Sequence, residues 1–571
     1  MLSLQQHINK IAELFFQLGG HTAVICPGSR NVPLMVAFTR HEKIKCIPVS
    51  DERSAGFIAL GIAQQTQQPV AIICTSGTAT LNFYPAICEA FYQQIPLVVI
   101  TADRPPEIID QWDGQAIRQN DIFKNHILKQ ITIPHTLDES SMLVIESEVR
   151  AVIELGSMQK LPVHINVPLK EPFYPSPHER YTYNEERIKV GNPSLLSLHS
   201  TAKDSFSIEV VFEQIRKIVQ AKNRNKVLVI IGMNHFSEDV MLAIQRAQQK
   251  ISFPLITDVI SNYGYDDSLI NYDFVLDEMN QRRPSSPDIL ITIGGPLLSK
   301  NLKKYIRSNK PLWHCHIQSY GQVGDPFQSL TSVLRVAPRL FFEELAKMEI
   351  SVAEYRKEWC AEEEKIILKQ EVDKLHFCEL KAAQKILQSL PLESNLQLAN
   401  SMPIRYGLLF GIKATIKVNG NRGTSGIDGC SSTAVGAALA SQKMTTLITG
   451  DMAFFYDVNA FWNTFSMPNL RIIVLNNGGG GIFRLIDGPS KLLELEAFIE
   501  VAHLRTAANI AKDFGFEYLK ATNEIELDNV LASFYIDAEC PKILEVFTNK
   551  TENVKGYSSF KSGILSQLLN S

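Results

Sequence analysis

An aspartate and an asparagine, each just beyond a predicted strand, carry the clearest chemistry in this sequence. Asp451 lies beyond the apolar run 445–448, and Asn477 lies beyond the apolar run 470–475. In open α/β sheets, ligands bind at the carboxyl ends of the strands. An aspartate oxygen, an asparagine oxygen and a backbone carbonyl such as that of Gly479 would hold Mg²⁺ and leave positions for diphosphate oxygens and water. The backbone N–H groups that would suit the phosphate charge are those of Met452 and Ala453.

A plainer explanation exists for the same residues. Asp451 would cap the helix predicted over 454–465, and the glycines 478–481 would only turn the chain. We favour the ligand site because the acid, the spacing, the asparagine pair 476–477 and the glycine run occur together within one predicted β-α-β unit.

Length and composition are those of an ordinary globular enzyme. The 571 residues are too many for one core, and 45% of them are hydrophobic and 20% charged. The formal net charge of −4 gives no electrostatic reason to expect nucleic acid or a membrane surface as a partner. The N-terminus has no basic start followed by an apolar core, and no apolar run is long enough to span a membrane. We expect a cytoplasmic protein.

The nine cysteines include no CxxC pair, and several lie inside apolar runs such as 71–74. We expect them to be buried, reduced thiols. The run His314-Cys315-His316 invites a metal site, but alternation along a strand would turn Cys315 away from the two histidines. The sequence therefore predicts no metal there.

Three α/β domains with doubly wound parallel sheets should position the functional residues. The predicted boundaries are 1–185, 200–350 and 365–571, with an irregular linker over 174–200 and a charged helical stretch over 351–390. The predicted strands are 22–26, 44–49, 70–74 and 97–101 in the first domain, and 226–231, 288–294 and 311–317 in the second.

The second domain has no clear ligand motif. Its loop 294–300 enters a predicted helix but lacks the GxGxxG pattern of dinucleotide sites. A structural spacer is the better interpretation.

The first and third domains echo each other in sequence. The polar turn and small-residue helix over 51–61 resemble those over 428–439, and each helix is followed by a strand and a glycine turn. Either an internal repeat or similar demands of close helix packing would explain the echo.

A glycine-aspartate followed by a later asparagine pair resembles the motif of thiamine diphosphate enzymes, although Met452 stands where that class commonly has glycine. The resemblance implies a carboxylate that protonates the aminopyrimidine ring of the cofactor. Glu52, beyond the predicted strand 44–49, is the candidate. It would need a water-poor setting that raises its pKa, and the apolar residues 55–58 fit that need. A solvated acid in the first turn of a helix is the alternative.

Six segments spread over most of the chain resemble the 2-succinyl-5-enolpyruvyl-6-hydroxy-3-cyclohexene-1-carboxylate synthase family of menaquinone biosynthesis. These segments are 27–30, 51–53, 101–106, 115–119, 400–405 and 421–429. In that family 2-oxoglutarate loses CO₂ on thiamine diphosphate, and the resulting succinyl carbanion adds in conjugate fashion to isochorismate. Because both substrates are dianions, the site needs fixed cations, preferably arginines that hold carboxylates in a two-pronged geometry.

The resemblance assigns residues of this chain to each ligand. Those that would hold the succinyl portion are Ser401, Arg405 and Arg422. Those that would hold isochorismate are Ser29, Arg30, Arg104, Gln115 and, from the second domain, Lys300. Those that would bend or line the cofactor are Ile427, Ile482 and Phe483, although core filling would explain Ile427 equally well. Gly114 stands where the family commonly has asparagine.

The resemblance also implies a homodimer or homotetramer, because Glu52 and the metal ligands of such enzymes act on one cofactor from different subunits. The metal would be Mg²⁺ or Mn²⁺. Two other functions remain open at this point. Another thiamine diphosphate enzyme, such as an acetolactate synthase or a 2-oxoacid decarboxylase, would lack the arginine set, and a non-catalytic scaffold would not need Glu52, Asp451 and Asn477.

Overall fold

Three β-sheets with helices between their strands form the framework of the chain. The computed structural model describes residues 4–134, 139–171, 174–176, 180–189, 207–221, 225–265, 267–350 and 352–570. The strand pairs with a defined register all run parallel. The predicted α/β class with doubly wound parallel sheets is confirmed.

The first sheet is built from the N-terminal part of the chain. Its strands are β1 (Thr22–Ile25), β2 (Lys45–Pro48), β3 (Val70–Cys74), β4 (Leu97–Asp103), β5 (Gln130–Thr132) and β6 (Val163–Pro168). The accompanying helices are α1 (Leu4–Gln17), α2 (Val32–Thr39), α3 (Glu52–Thr66), α4 (Thr78–Asn82), α5 (Tyr84–Gln93) and α6 (Glu139–Gln159). The strand order is β2-β1-β3-β4-β6-β5, so the four predicted strands are present and β5 and β6 extend the sheet.

The second sheet has five strands, and the strands at its two edges are short. Its strands are β7 (Val227–Ile231), β8 (Leu255–Thr257), β9 (Ile289–Ile293), β10 (Trp313–Ile317) and β11 (Ser332–Leu334). The accompanying helices are α7 (Ile208–Gln220), α8 (Glu238–Ile251), α9 (Tyr272–Val275), α10 (Lys300–Ser308) and α11 (Pro338–Leu345). The strand order is β11-β10-β9-β7-β8, and the three strands predicted here are confirmed.

At the switch point between β7 and β9, where nucleotides bind in sheets of this order, two backbone segments of the second sheet pack closely together. Gly232 N–H donates to the carbonyl of Ile293 at 2.9 Å, and Gly295 N–H donates to the carbonyl of Met233 at 2.8 Å. A Cβ on Gly232 would lie only 2.2 Å from the carbonyl oxygen of Gly295. The two backbone segments that follow β7 and β9 are thus packed against each other at that point.

The third sheet follows the charged helical stretch, which forms α12 (Ala353–Glu363), α13 (Leu368–Asp373) and α14 (Glu379–Ser389). Its strands are β12 (Asn395–Leu398), β13 (Lys417–Asn419), β14 (Thr445–Gly450), β15 (Leu470–Asn476), β16 (Glu517–Ala521) and β17 (Lys542–Phe547). Its helices are α15 (Met402–Phe410), α16 (Cys430–Ala440), α17 (Asp451–Tyr456), α18 (Ala508–Asp513), α19 (Glu524–Phe534) and α20 (Lys550–Asn570). The order β13-β12-β14-β15-β17-β16 repeats that of the first sheet, strand for strand, so the echo seen in the sequence extends to topology.

The helix predicted over 454–465 is wrong in its bounds. The helix begins at Asp451 and ends at Tyr456, and a 3₁₀ turn follows over Val458–Phe461. Asp457 leaves helical geometry, with φ −119° and ψ 34°, and its buried carboxylate accepts hydrogen bonds from the N–H and Oγ of Ser432 at 2.7 and 2.8 Å. The Asp457 carboxylate thus accepts hydrogen bonds from the first turn of α16, and α17 ends one residue before it.

Contacts divide the chain into two compact units. The first unit holds the first sheet together with the segments Asn421–Thr445 and Ala453–Leu470. The second unit holds Leu196–Gly420, which includes the second sheet, together with Thr446–Met452 and the chain from Arg471 onward.

Two glycines bring the echoing helices α3 and α16 into backbone contact inside the first unit. A Cβ on Gly61 would lie 2.1 Å from the carbonyl oxygen of Thr433, and one on Gly436 would lie 2.0 Å from that of Ile58. No larger residue fits at either position unless the helices separate. Close packing therefore accounts for at least this part of the echo.

Gly436→Ala is expected to lower the midpoint of thermal unfolding, even though alanine favours a helix interior by about 0.5–1 kcal/mol. Its Cβ would collide with backbone of Ile58, and overpacking of this kind costs about 1–3 kcal/mol. Gly407→Ala in α15 is the matched control, because its Cβ would meet the flexible end of the Leu398 side chain at 2.7 Å. Calorimetric midpoints that fall equally in both variants would contradict the packing argument.

The run His314-Cys315-His316 lies on β10 as predicted, and its ring nitrogens are occupied. Thr292 Oγ1 lies 2.9 Å from both His314 Nε2 and His316 Nδ1, while Ser329 and Gln318 meet the other two nitrogens. Burial lowers the pKa of His314 to about 3 and that of His316 to about 4, so both rings are neutral. Across the residues that the structure describes, no group of side chains forms a metal cluster of His, Cys, Asp or Glu, and the nine cysteines are free thiols.

Two further expectations concern segments rather than sites. Residues 174–176 and 180–189 of the predicted linker have no regular secondary structure, and the rest of that linker up to 200 lies outside the described residues. Among the described helices, none combines the length and the apolar character needed to cross a membrane.

Candidate active site

Asp451 stands at the carboxyl end of β14, and its carboxylate is enclosed by backbone N–H groups. Oδ2 accepts hydrogen bonds from Gly478 at 2.9 Å and Gly479 at 3.0 Å, and Oδ1 accepts one from Met452 at 2.6 Å. The residue is 2% exposed, and burial raises its pKa, while the N–H of Gly479 and the nearby His503 oppose that rise. The side chain thus joins the tip of β14 to the glycine run after β15.

Asn477 follows β15, and the nitrogen end of its side-chain amide is hydrogen-bonded within the protein. Its Nδ2 donates to Glu379 Oε2 at 2.7 Å. Among the residues that the structure describes, no donor reaches the buried Oδ1 of Asn477. A buried oxygen without a hydrogen bond is costly, and a bound cation would satisfy it. The carbonyl of Gly479, the third predicted ligand, accepts one hydrogen bond from Gly481 at 2.9 Å.

The glycine run has steric reasons for its composition. A Cβ on Gly481 would lie 2.9–3.2 Å from the amide atoms of Asn477, and Gly479 has φ +151° and would place a Cβ 2.9 Å from the carbonyl oxygen of Glu500. The next residues, Ile482 and Phe483, form a half-buried 3₁₀ turn, and Ile482 packs against the core of the second unit. The loop is therefore fixed by contacts on both sides.

This set of groups fits a hard divalent cation. It offers a carboxylate, an amide oxygen without a partner and a backbone carbonyl, which are the oxygen ligands that Mg²⁺ and Mn²⁺ accept. Asp451 follows β14, and Asn477 and Gly479 follow the neighbouring strand β15, so all three lie at the carboxyl end of the third sheet. A phosphate-bearing cofactor would fill the remaining positions of such a metal.

The residues predicted to hold the succinyl portion include two that start α15 in the same unit. Ser401 precedes the helix with φ +77°, a conformation that non-glycine residues adopt rarely and that recurs at functional sites. Nε of Arg405 is buried and, within the described part of the chain, donates no hydrogen bond. A two-pronged carboxylate partner would satisfy that guanidinium.

Lys300 lies in the second unit, exposed, at the first position of α10. The residues on either side of it, Ser299 and Asn301, donate to the carboxylate of Asp273. Burial raises the pKa of Asp273, and the positive charge of Arg405 is among the effects that oppose the rise. Asp273 therefore links the start of α10 electrostatically to Arg405.

Glu52 is the first residue of α3 at the carboxyl end of β2, as predicted. Asp51 caps the N-terminus of α3, and its carboxylate accepts a hydrogen bond from the N–H of Ser54 at 3.1 Å. Burial raises the pKa of Glu52, and its own backbone N–H opposes the rise. Burial raises the pKa of the thiols of Cys26 and Cys74, at the ends of β1 and β3, and the negative charge of Glu52 adds to the rise. Glu52 itself is half-buried, and the apolar residues 55–58 that follow it are buried.

The arginines predicted for isochorismate lie at the same edge of the first sheet. Arg30 is 5% exposed and donates to the carbonyl of Leu169 at 2.6 Å and to Glu171 at 2.9 Å. Arg104 donates to the carbonyl of Gly114 at 2.6 Å. Burial raises the pKa of Asp103 to about 6, and Arg30 is among the groups that oppose this rise.

Gln115 and Ser29 complete this group. Gln115 has φ +58°, is exposed, and packs its backbone against Gly77, where a Cβ would lie 3.2 Å from Gln115 Cα. Ser29 is exposed and precedes Arg30 in the loop after β1. The structure therefore brings Arg30, Arg104 and Gln115 to one side of the first unit, with Ser29 beside them.

The loop before α16 holds Arg422 and Ile427. Glu89 on α5 accepts hydrogen bonds from the N–H groups of Gly423 and Thr424, both at 2.7 Å, and so fixes the loop beside Arg422. Ile427 is 36% exposed. Part of the Ile427 side chain is therefore accessible to a ligand.

Three residues at these sites were not predicted. They are His503, whose Nε2 lies 3.5 Å from Asp451 Oδ2, the buried Glu379, and Glu89. Burial raises the pKa of Glu379 to about 7, and hydrogen bonds from Asn477 and Tyr406 oppose the rise. Each is a single polar residue that is distant in sequence from the motif it contacts. The local sequence around it therefore has no pattern from which its role could be predicted.

Comparisons with known proteins agree with this architecture. The profile described as "Thiamine pyrophosphate enzyme, N-terminal TPP binding domain" matches residues 9–125, and that described as "Middle domain of thiamine pyrophosphate" matches residues 207–398. Together with the three parallel sheets and the oxygen-rich site after β14 and β15, these matches define the class, that of thiamine diphosphate enzymes.

The chain belongs to the 2-succinyl-5-enolpyruvyl-6-hydroxy-3-cyclohexene-1-carboxylate synthase family. A member from Cytophaga hutchinsonii is 38% identical over an alignment of 580 positions, which covers 99% of this chain and 100% of that protein. One from Flavobacterium johnsoniae is 38% identical, covering 95% and 96%, and one from Bacteroides fragilis is 35% identical, covering 97% and 98%. The resemblance inferred from the motifs is thereby confirmed.

Proposed function

We propose that this enzyme decarboxylates 2-oxoglutarate and adds the succinyl carbanion to isochorismate, giving 2-succinyl-5-enolpyruvyl-6-hydroxy-3-cyclohexene-1-carboxylate and CO₂ in menaquinone biosynthesis. The name of its near-full-length relatives supports this reaction. The observation that carries it is the set of arginines at the predicted ligand positions. Arg30 and Arg104 lie at the carboxyl ends of strands of the first sheet, and Arg405 lies in the second unit, where its buried Nε has no acceptor within the described part of the chain. Two dianionic substrates need several fixed cations of this kind.

Asp451, Asn477 and the carbonyl of Gly479 would hold Mg²⁺ or Mn²⁺, and the metal would hold the diphosphate. The backbone of Met452 and Ala453 and the side chains of Ile482 and Phe483 would line the cofactor. Ile427 would press against it, which its 36% exposure allows. When bound, thiamine diphosphate supplies an electron sink for the carbanion.

Glu52 would exchange a proton with the aminopyrimidine ring. Its raised pKa brings protonation closer to neutral pH, where a proton-transferring carboxylic acid is most effective. Ser401, Arg405 and Arg422 would orient 2-oxoglutarate. Ser29, Arg30, Arg104, Gln115 and Lys300 would orient isochorismate.

A homodimer would be the minimum active assembly, either alone or within a homotetramer, with Glu52 of one subunit and Asp451 of another acting on one cofactor. The family relationship supports this arrangement. Each subunit would comprise three domains with the predicted boundaries 1–185, 200–350 and 365–571. The cytoplasm is the expected compartment of such a biosynthetic enzyme.

The test is an assay of CO₂ and coupled product. Purified protein with thiamine diphosphate, Mg²⁺ and 2-oxoglutarate should release CO₂ in amounts matched by coupled product only when isochorismate is present, and chelation of the metal should stop both. Free aldehyde released without any need for isochorismate would instead identify a simple decarboxylase. Cofactor binding without turnover on either substrate would identify a scaffold.

A further inference from the structure

Glu379 is a buried carboxylate that contacts the proposed metal ligand Asn477. It begins α14 and is 3% exposed. Three donors converge on it, namely Asn477 Nδ2 at 2.7 Å, Tyr406 OH at 3.1 Å and Asn553 Nδ2 at 3.3 Å. The proposed mechanism does not use this group, so its burial needs another explanation.

The hydrogen-bond pattern determines which end of the Asn477 amide faces Glu379. The orientation of Asn553 is set independently, because its Oδ1 accepts from the backbone N–H of Glu379 at 2.8 Å. Its Nδ2 therefore donates to Glu379, as the hydroxyl of Tyr406 also does. A carboxylate surrounded in this way accepts hydrogen bonds and takes the Nδ2 end of Asn477. The Oδ1 end must then point away from Glu379.

Gly481 lies on the other side of the amide. A Cβ there would lie 2.9 Å from Nδ2 and 3.2 Å from Oδ1 of Asn477, so a larger residue at this position would collide with the amide. Rotation of the amide by half a turn would bring Oδ1 against Glu379, and the ionised form of that carboxyl, which accepts from Tyr406 and Asn553, would repel it. The amide is thus held in one of its two orientations.

We propose that Glu379 is a positioning residue that fixes the Asn477 amide so that Oδ1 faces the metal. This inference rests on the proposed metal site. It assigns to Glu379 the role that hydrogen-bond partners of metal ligands commonly have, namely orientation of the ligand. Asn553, which binds both the backbone N–H and the carboxylate of Glu379, would hold that residue in place, while Tyr406 donates to the other carboxylate oxygen.

Glu379→Leu is the decisive variant, because it keeps much of the side-chain volume and removes the acceptor. In the presence of thiamine diphosphate, its affinity for Mn²⁺, measured by the electron paramagnetic resonance signal of free Mn²⁺, should fall about 10- to 100-fold. Glu379→Gln can still offer an oxygen to Asn477 and should bind Mn²⁺ like the unmodified enzyme. At saturating Mn²⁺, turnover of Glu379→Leu should recover, because the defect lies in metal affinity.

Tyr406→Phe is the matched control. It removes a different hydrogen bond from the same carboxylate and should leave Mn²⁺ affinity unchanged, although it disturbs the same buried cluster. Should Glu379→Leu not fold, Glu379→Asp takes its place, since it keeps the charge but withdraws the acceptor from Asn477, and the same loss of affinity is expected.

Two results would overturn the inference. One is unchanged Mn²⁺ affinity in a folded Glu379→Leu or Glu379→Asp variant, and the other is an equal loss in Tyr406→Phe. Failure of the metal site itself would look different, because then the unmodified enzyme would show no Mn²⁺ binding that depends on thiamine diphosphate.

Discussion

Glu52→Gln and Asp451→Ala are each expected to lose most product formation, and for different reasons. Glutamine cannot exchange a proton with the cofactor, so Glu52→Gln should bind thiamine diphosphate normally while turnover falls by about 10²- to 10⁴-fold, the usual contribution of a proton-transferring side chain. Asp451→Ala removes the anionic metal ligand, so it should lose metal-dependent binding of thiamine diphosphate. Isothermal titration calorimetry with and without Mg²⁺, together with steady-state rates, separates the two defects. Normal turnover in the first variant or normal binding in the second would refute the corresponding assignment.

Mixing the two inactive proteins tests whether one site uses two subunits. In a mixed dimer, one site combines both substitutions, and the other combines an intact Glu52 with an intact Asp451. After subunit exchange at equal amounts, about half of the dimers are mixed, so about a quarter of the unmodified activity should return. Each variant incubated alone is the control. Absence of any recovery after proven exchange would show that every site is built from a single chain.

The sequence predicted those parts of the fold that depend on local pattern. Buried strands of a parallel sheet are continuous apolar runs, which is why β3, β4 and β15 were found close to their observed bounds. The short strands β5, β8 and β11 have three residues each, too few to give a period. The bounds of α17 failed because Asp457 satisfies a distant helix start, a contact that local propensity does not contain.

For the candidate site, residues at strand ends were predictable, and their supporting partners were not. Asp451, Asn477, Glu52 and Arg104 all follow strands whose carboxyl ends must meet at one edge of their sheet. Glu379, in contrast, reaches Asn477 across 98 positions in sequence from a stretch that appears merely charged and helical. Its importance depends on burial and hydrogen-bond geometry, which only the tertiary structure supplies.

The last expectation is that the two substrates can be separated by their arginines. Arg405→Ala should impair the release of CO₂ from 2-oxoglutarate whether or not isochorismate is present. We place its guanidinium against the distal carboxylate of that substrate, and removing one partner of a partly buried two-pronged ion pair costs about 3–5 kcal/mol. That loss corresponds to about a hundredfold or more in rate or affinity.

Arg104→Ala should leave that first step largely intact. Its side chain is 14% exposed and is held by the carbonyl of Gly114, at the sheet edge assigned to isochorismate. Removing it should therefore raise the concentration of isochorismate needed for half-maximal product formation, with little change in CO₂ release in a single turnover without isochorismate.

Arg118→Ala provides the matched control for both variants. Arg118 belongs to the same family motif as Gln115, but its side chain is 81% exposed and pairs with Asp110 on the surface at 2.9 Å. Surface pairs of this kind contribute little, so both steps should proceed as in the unmodified enzyme. Single-turnover release of CO₂, followed by titration with isochorismate, measures all three proteins. If Arg104→Ala blocked the first step as severely as Arg405→Ala, while both retained fold and cofactor, the division of the two substrates between separate sets of cations would be wrong.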